Sequence, residues 1–280
     1  MHGRRRRTFL AATCLFLTKL SSAQPSLVEL RRRVTALSSC VSELTQQGGN
    51  AGWVIHSHLQ NVFTHGELHL CPPARVGYIH IFKSAGTTIA STFHYLCDKR
   101  FGANSTFVKM GVQTNADRLH IKDYRYFSFV RKPDERLLSA IYEVHLRNKG
   151  IDGHELETMS PSNFVKSVLL RQLNDSLVNT HLFPQVTFLL ESGKVVPSLV
   201  YLGRVENLSD ELAAIVSEMF KDRTAGTEAK QYLLHHLKRS RPQASPDPVA
   251  HLKVTDMRHD TKALLMGTYI TAYVCLGYAL

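Results

Sequence analysis

The chain has 280 residues, of which 44% are hydrophobic and 20% charged, with a formal charge of +11. These values exclude a disordered or fibrous chain and leave room for one sizeable α/β domain or two small ones. Five of the positive charges lie in the first 23 residues, which hold no acid, so the rest carries about +6. A moderately basic body suits a polyanionic cofactor or acceptor, although that charge also fits ordinary solubility.

The N-terminus reads as a targeting segment over residues 1–23. Arg4–Arg7 is a basic stretch, Phe9–Leu17 a short apolar core, and Ser21-Ser22-Ala23 a small-residue site for cleavage. The alternative is a short signal anchor, with Lys19 snorkelling. Both place the body in the secretory lumen. There the four later cysteines, Cys40, Cys71, Cys97 and Cys275, can form up to two bridges, in a pairing the sequence leaves open. Sequons begin at Asn104, Asn174 and Asn207. No Cys or His spacing resembles a zinc site, so no metal is expected.

Residues 24–70 read as a stem and linker. Leu27, Leu30, Val34, Leu37, Val41 and Leu44 alternate spacings of three and four, and Ser26 with Glu29 makes a capping box. The heptad fits either a parallel homodimer through 27–44 or a helix packed on its own domain. Gly48–Gly52 reads as a hinge.

Residues 71–280 read as the main domain. Val76–Ile81 and Tyr124–Val130 are strands, followed by helices over Thr87–Leu96 and Asp134–Arg147. Ser160-Pro161 opens a further helix, with Ser as N-cap. Leu199–Leu202 is a short strand, and Asn207 or Ser209 caps a helix through Phe220. The alternation predicts an α/β fold, a parallel sheet flanked by helices. Arg239–Pro248 is a loop. The uncharged stretch Ala263–Leu280 reads as a buried terminal helix and strand rather than a membrane span.

Two segments carry the chemistry. In the first, the strand ending at Phe82 runs into Lys83-Ser84-Ala85-Gly86-Thr87-Thr88. Small residues let the backbone approach a phosphate, and a helix N-terminus offers N–H groups and a favourable dipole. Lys83 adds a compact charge, and Thr87 and Thr88 add hydroxyls. The spacing is not that of a Walker A loop, which argues against a kinase or NTPase. In the second, Arg131 ends a strand and Ser139 lies two turns into a helix that Pro133 begins. Together they suit a second phosphate. Arg136 is expected to pair with Asp134 or Glu135.

These segments resemble those of the Golgi carbohydrate sulfotransferases. Tyr78–Ile89 is similar to their 5′-phosphosulfate loop, close to HIPKTGGTT, and Phe127–Tyr142 to their 3′-phosphate motif, close to FVRxPxxRxxSxY. His181-Leu-Phe-Pro184-Gln185 and Val200–Leu208 resemble the HxxPQ…xxGRxENL stretch of the same broad family, which includes heparan sulfate 2-O and 6-O enzymes and the chondroitin and HNK-1 types. Phe82 stands where the family usually has Pro, and Ala85 replaces the first Gly. The resemblance implies a P-loop-like fold and the donor 3′-phosphoadenosine 5′-phosphosulfate (PAPS). Lys83, Ser84, Ala85, Gly86, Thr87 and Thr88 would hold the phosphosulfate, and Arg131 and Ser139 the 3′-phosphate. An acceptor hydroxyl would attack sulfur in line, with Lys83 stabilising the leaving oxygen.

The upstream His of the 2-O and 6-O enzymes has no counterpart at Val108–Gln113, so the general base is His120 or His181. His145 or Glu143 is also placed to face the acceptor, whereas His80 reads as a core histidine. The implied partner is a glycan or glycosaminoglycan, with no nucleic acid. The alternative is a non-catalytic lumenal binding protein on the same fold.

Overall fold

The computed structural model describes residues 26–46, 67–102, 105–109, 123–147, 159–174, 180–191, 193–239 and 253–279. The leader at 1–23, the hinge at 48–52, Asn104, His120 and the loop after Arg239 lie outside the described residues.

Three parallel strands form the centre, as the alternating pattern predicts. β2 (Val76–His80) pairs with β4 (Arg125–Val130), and β4 with β7 (Leu199–Arg204). Two strands that the sequence reading did not identify extend one edge antiparallel: β1 (Glu67–Cys71) beside β2, and β3 (Thr106–Lys109) beside β1. The sheet order is therefore β3-β1-β2-β4-β7, a mixed sheet with a parallel core. A separate small hairpin joins β5 (Leu190–Glu191) to β6 (Lys194–Val195).

Strand side chains alternate between the two faces. Tyr78, Phe127, Phe129 and Tyr201 pack with α2 (Gly86–Phe101), α5 (Leu208–Phe220) and α6 (Arg223–Arg239). Ile79, Tyr126, Val130 and Leu202 pack on the other side with α1 (Leu27–Gln46) and α7 (His259–Cys275). A third cluster joins α3 (Pro133–Arg147), α4 (Pro161–Asn174) and α7. Ser160 caps α4 as its sequence predicts: its Oγ accepts from Asn163 N–H at 3.4 Å.

The heptad of α1 packs on its own domain. Leu30, Leu37 and Val41 are buried within the chain, and Cys40 is bonded to Cys275. The other heptad positions, Leu27, Val34 and Leu44, are half-buried against the same cores. Only half of the capping box forms: Ser26 Oγ accepts from Glu29 N–H, while the Glu29 carboxylate pairs with Arg32 and Arg33. Cys71 is bonded to Cys97, tying β1 to α2.

The C-terminal segment is helical from His259 and ends in a turn, and among the described residues no strand follows it, contrary to the expected terminal strand. Leu265, Tyr269, Ala272, Tyr273 and Cys275 are buried. Among the described residues, no helix is long and apolar enough to cross a membrane.

Candidate active site

The motif segments meet where β2, β4 and β7 end, at the carboxyl edge where α/β sheets place ligands. Three devices hold them there.

The first is the loop from β2 to α2. Lys83 and Ala85 both adopt left-handed backbone, with φ of 66° and 57°. These kinks turn the chain so that α2 starts at Gly86. The first helical bond runs from Ile89 N–H to the Ala85 carbonyl. The N–H groups of Gly86, Thr87 and Thr88 therefore have no acceptor within the helix, and Ala85 supplies no side-chain cap. Thr87 is exposed and Thr88 half-buried. Only Gly fits at position 86, because a Cβ there would come within 1.7 Å of His80 Nε2.

The second device is Gln185. Its Oε1 accepts from the Arg131 N–H at 2.8 Å and from Ser84 Oγ at 3.1 Å, while its Nε2 donates to the Arg131 carbonyl at 2.6 Å. One amide joins the end of β4 to the loop after β2. Ser84 is fully buried, so its hydroxyl braces the loop through Gln185. Gln185 belongs to the third motif, but nothing local in the sequence marks this bridging role.

The third device corrects an expectation. Arg136 does not pair with Asp134 or Glu135. It is buried, and its guanidinium donates to the carbonyls of Phe82 at 2.9 Å, Phe183 at 2.7 Å and His181 at 3.0 Å. One planar fork thus fixes the loop and the 181–183 segment against α3. Burial lowers its pKa to about 10, which leaves it charged at neutral pH. The helical period explains the miss: Arg136 turns inward, and Glu135 lies on the exposed side.

Glu135, Ser139 and Glu143 recur every four residues, so they form one ridge about 12 Å long on α3. Arg131 stands at one end, its guanidinium 3.3 Å from the Glu135 carboxylate. Lys83 stands at the other, its Nζ 3.1 Å from Glu143 Oε2. Ser139 is half-buried between them. The two cations at the ends of one ridge suit a ligand with anionic groups at both ends.

His181 is largely buried, stacked on Phe82 at 4.6 Å between ring centroids. Phe82 therefore takes the place of the family's usual Pro by packing partly into the core. His145 lies in α3, but its side chain is outside the described residues. The third motif acts as a clamp. Glu206 accepts from Lys132 N–H at 2.7 Å and from the Tyr278 hydroxyl at 3.1 Å. Arg204 donates to the Leu276 and Gly277 carbonyls and lies over the Tyr278 ring.

Beneath the loop, His80 is a partner of Glu67 rather than an isolated core histidine: Nδ1 lies 2.7 Å from the Glu67 carboxylate. His69 Nδ1 lies 2.7 Å from His94 Nε2. Burial, then the nearby His80 and His94, lower His69 to about 4. Burial, with the charge of Glu67, pushes the Tyr78 phenol up.

Compared with known proteins, the chain matches the family model described as "Sulfotransferase family" over residues 67–279, well over half its length. Comparisons with curated proteins and with solved structures return no match. The matched span covers every element of the site, from β1 to the clamp on the C-terminal tail, and the chain belongs to the sulfotransferase family.

Proposed function

We propose that the protein transfers a sulfuryl group from PAPS to a hydroxyl of a glycan in the Golgi lumen. The observation that carries this reading is the double bridge from Gln185 to Ser84 and Arg131, which holds two anion-binding ends in fixed relation. In it, the N-terminus of α2 with Lys83 receives the 5′-phosphosulfate, and Arg131 with Ser139 receives the 3′-phosphate. A bisphosphate would replace Glu135 and Glu143 as partner of the two cations.

In the reaction, an acceptor oxygen forms a bond to sulfur as the bond from sulfur to the phosphate oxygen breaks. Charge grows on that leaving oxygen, and Lys83, in the loop itself, is the cation placed to stabilise it. The acceptor proton goes to a base. His120 and His181 are candidates, and Glu143 joins them because its carboxylate touches Lys83. The lumenal setting is supported by the leader-like residues 1–23, by the exposed sequon Asn207, and by the joining of all four later cysteines in bridges.

Transfer of labelled sulfate from PAPS to a panel of glycosaminoglycans and simple glycans tests the reading. We expect a labelled product, lost in Lys83→Ala and Arg131→Ala. Retained nucleotide affinity in both variants would refute the donor assignment. Nucleotide binding without transfer to any acceptor would support the non-catalytic alternative.

A further inference from the structure

A second polar site lies behind the loop, built by β1 and β2. In their antiparallel register, Glu67 stands opposite His80, and His69 opposite Tyr78. Directly opposed residues, and residues two apart, share a sheet face. Glu67, His69, Tyr78 and His80 therefore project to the same side, toward α2.

One nitrogen from each of His69 and His80 and one oxygen of Glu67 all lie within 4.8 Å of one another. His80 Nδ1 approaches Glu67 Oε2 to 2.7 Å, yet it has no hydrogen bond of acceptable alignment among the described residues. An imidazolium at His80 would meet this carboxylate as an ion pair, and a metal cation held by both atoms would also account for the short contact; the missing hydrogen-bond alignment favours the second. His94, from α2, contacts His69 Nδ1 at 2.7 Å. The nitrogen of His69 that leaves this contact intact is Nε2. A ligating imidazole commonly donates its other ring N–H to an acceptor that fixes its tautomer and aim, and His94 Nε2 can be that acceptor for His69 Nδ1–H. The Tyr78 ring stacks on His69 at 5.7 Å and on His80 at 6.0 Å. Its hydroxyl is buried, with no hydrogen-bond partner among the described residues.

We propose that Glu67, His69 and His80 form a binding site for a first-row divalent cation of the zinc type, with His94 orienting His69. Two imidazoles and one carboxylate are a zinc-type donor set, and a water in the fourth position would give the Tyr78 hydroxyl a partner. The site rests on strands tied to α2 by the Cys71–Cys97 bridge. Its consequence is mechanical: a cation on Nδ1 fixes the His80 ring whose Nε2 faces Gly86, the first residue of α2. The inference does not depend on the choice of sulfate donor.

The sequence hides this site because the ligands lie at 67, 69 and 80, a spacing that converges only in the hairpin register. The test uses the full chain with both disulfides intact, stripped with a chelator and titrated with Zn²⁺ and, separately, Co²⁺. We expect uptake of one tight equivalent and visible cobalt d–d absorption. Glu67→Gln and His80→Gln should each raise the Zn²⁺ Kd by at least about tenfold and weaken the cobalt bands. His235→Gln, an exposed histidine on α6, should change neither. The near-isosteric Glu67→Gln keeps the reading testable if His80→Gln misfolds, and far-UV circular dichroism checks both. No uptake by the wild type would mean a plain Glu67–His80 ion pair and would overturn the proposal. So would an unchanged Kd and spectrum in folded Glu67→Gln.

Discussion

Gln185 and Arg131 exchange a pair of hydrogen bonds, Arg131 N–H to Oε1 at 2.8 Å and Nε2 to the Arg131 carbonyl at 2.6 Å. The pairing imitates one rung of a sheet at the point where β4 stops pairing. It holds Arg131 at the strand end while Oε1 also receives Ser84 from the neighbouring loop.

Gln185→Ala removes all three bonds and leaves the Arg131 carbonyl without its partner. A lost buried hydrogen bond costs on the order of 1 kcal/mol, more where an unpaired group is left behind. We expect about a tenfold weaker affinity for adenosine 3′,5′-bisphosphate by calorimetry, with secondary structure retained. Gln185→Glu is the sharper variant: it can still accept but cannot donate to the Arg131 carbonyl. Wild-type affinity in both variants would show that the two anion-binding ends do not need this bridge.

Ala85 occupies left-handed backbone at φ 57°, at the position of the first Gly in the resembled loop pattern. For a residue with a Cβ that conformation costs about 1–2 kcal/mol. Gly also makes the unfolded chain looser, which takes back about 0.4–1 kcal/mol. We expect Ala85→Gly to be stabilising by about 0.5 kcal/mol, a rise in Tm of about 1–2 °C. Ala85→Val should be destabilising, since a branched side chain tolerates this backbone worse. The reverse order of the two Tm values would contradict the strain argument.

The parallel strands and their helices were legible because β-branched and aromatic runs alternate with helical periods, and Gly86 and Pro133 mark the starts of α2 and α3. The antiparallel edge was not, because β1 is only Glu67–Cys71, with His69 and a carboxylate inside it, and reads as linker. Its polar residues make sense only opposite Tyr78 and His80. The phosphate-binding segments were legible as local motifs. Arg136 and Gln185 were not, because their partners are main-chain atoms and side chains 45 to 101 residues away. A sequence shows an arginine next to acids; it does not show that the helix turns it inward.

Arg136 is expected to be the most sensitive position in the site. Arg136→Met keeps the bulk but leaves the carbonyls of Phe82, Phe183 and His181 unpaired and buried. A buried acceptor left unsatisfied costs about 1–3 kcal/mol, so three of them bring the loss to roughly 3–5 kcal/mol. For a domain of this size that lowers Tm by roughly 10 °C. Arg136→Lys keeps the charge but not the planar fork, so it should fall between wild type and Met. Thermal unfolding by differential scanning fluorimetry ranks the three. Equal Tm for wild type and Met would mean that the three carbonyls find other partners.

Acid stability should depend on Asp222. Hydrogen bonds from the Thr224 hydroxyl and N–H, then from Arg100, hold its carboxyl down at about 2. A carboxyl depressed in the folded state adds stability above its ordinary range, near pH 4. That stability is lost as pH falls toward 2. We expect the Tm difference between wild type and Asp222→Asn to be constant above pH 5 and to shrink between pH 4 and 2. A difference that stays flat to pH 2 would show that Asp222 is not depressed.

The Cys40–Cys275 bridge closes a loop with a sequence separation of 235 residues and fastens α1 to the last helix. Chain-entropy arguments give about 5 kcal/mol for a loop of this length as an upper figure, with measured losses typically 2–4 kcal/mol. The shorter Cys71–Cys97 loop should matter less on the same ground. Leu37 and Val41 flank Cys40 and are buried against the sheet side that α7 also covers. Removing the bridge therefore loosens a shared core rather than a tether. We expect Cys40→Ala/Cys275→Ala to lower the denaturation midpoint of the whole domain in one cooperative transition. If α1 were an independent stalk, the midpoint would not move, and limited proteolysis would release residues 26–46 from an otherwise unchanged domain.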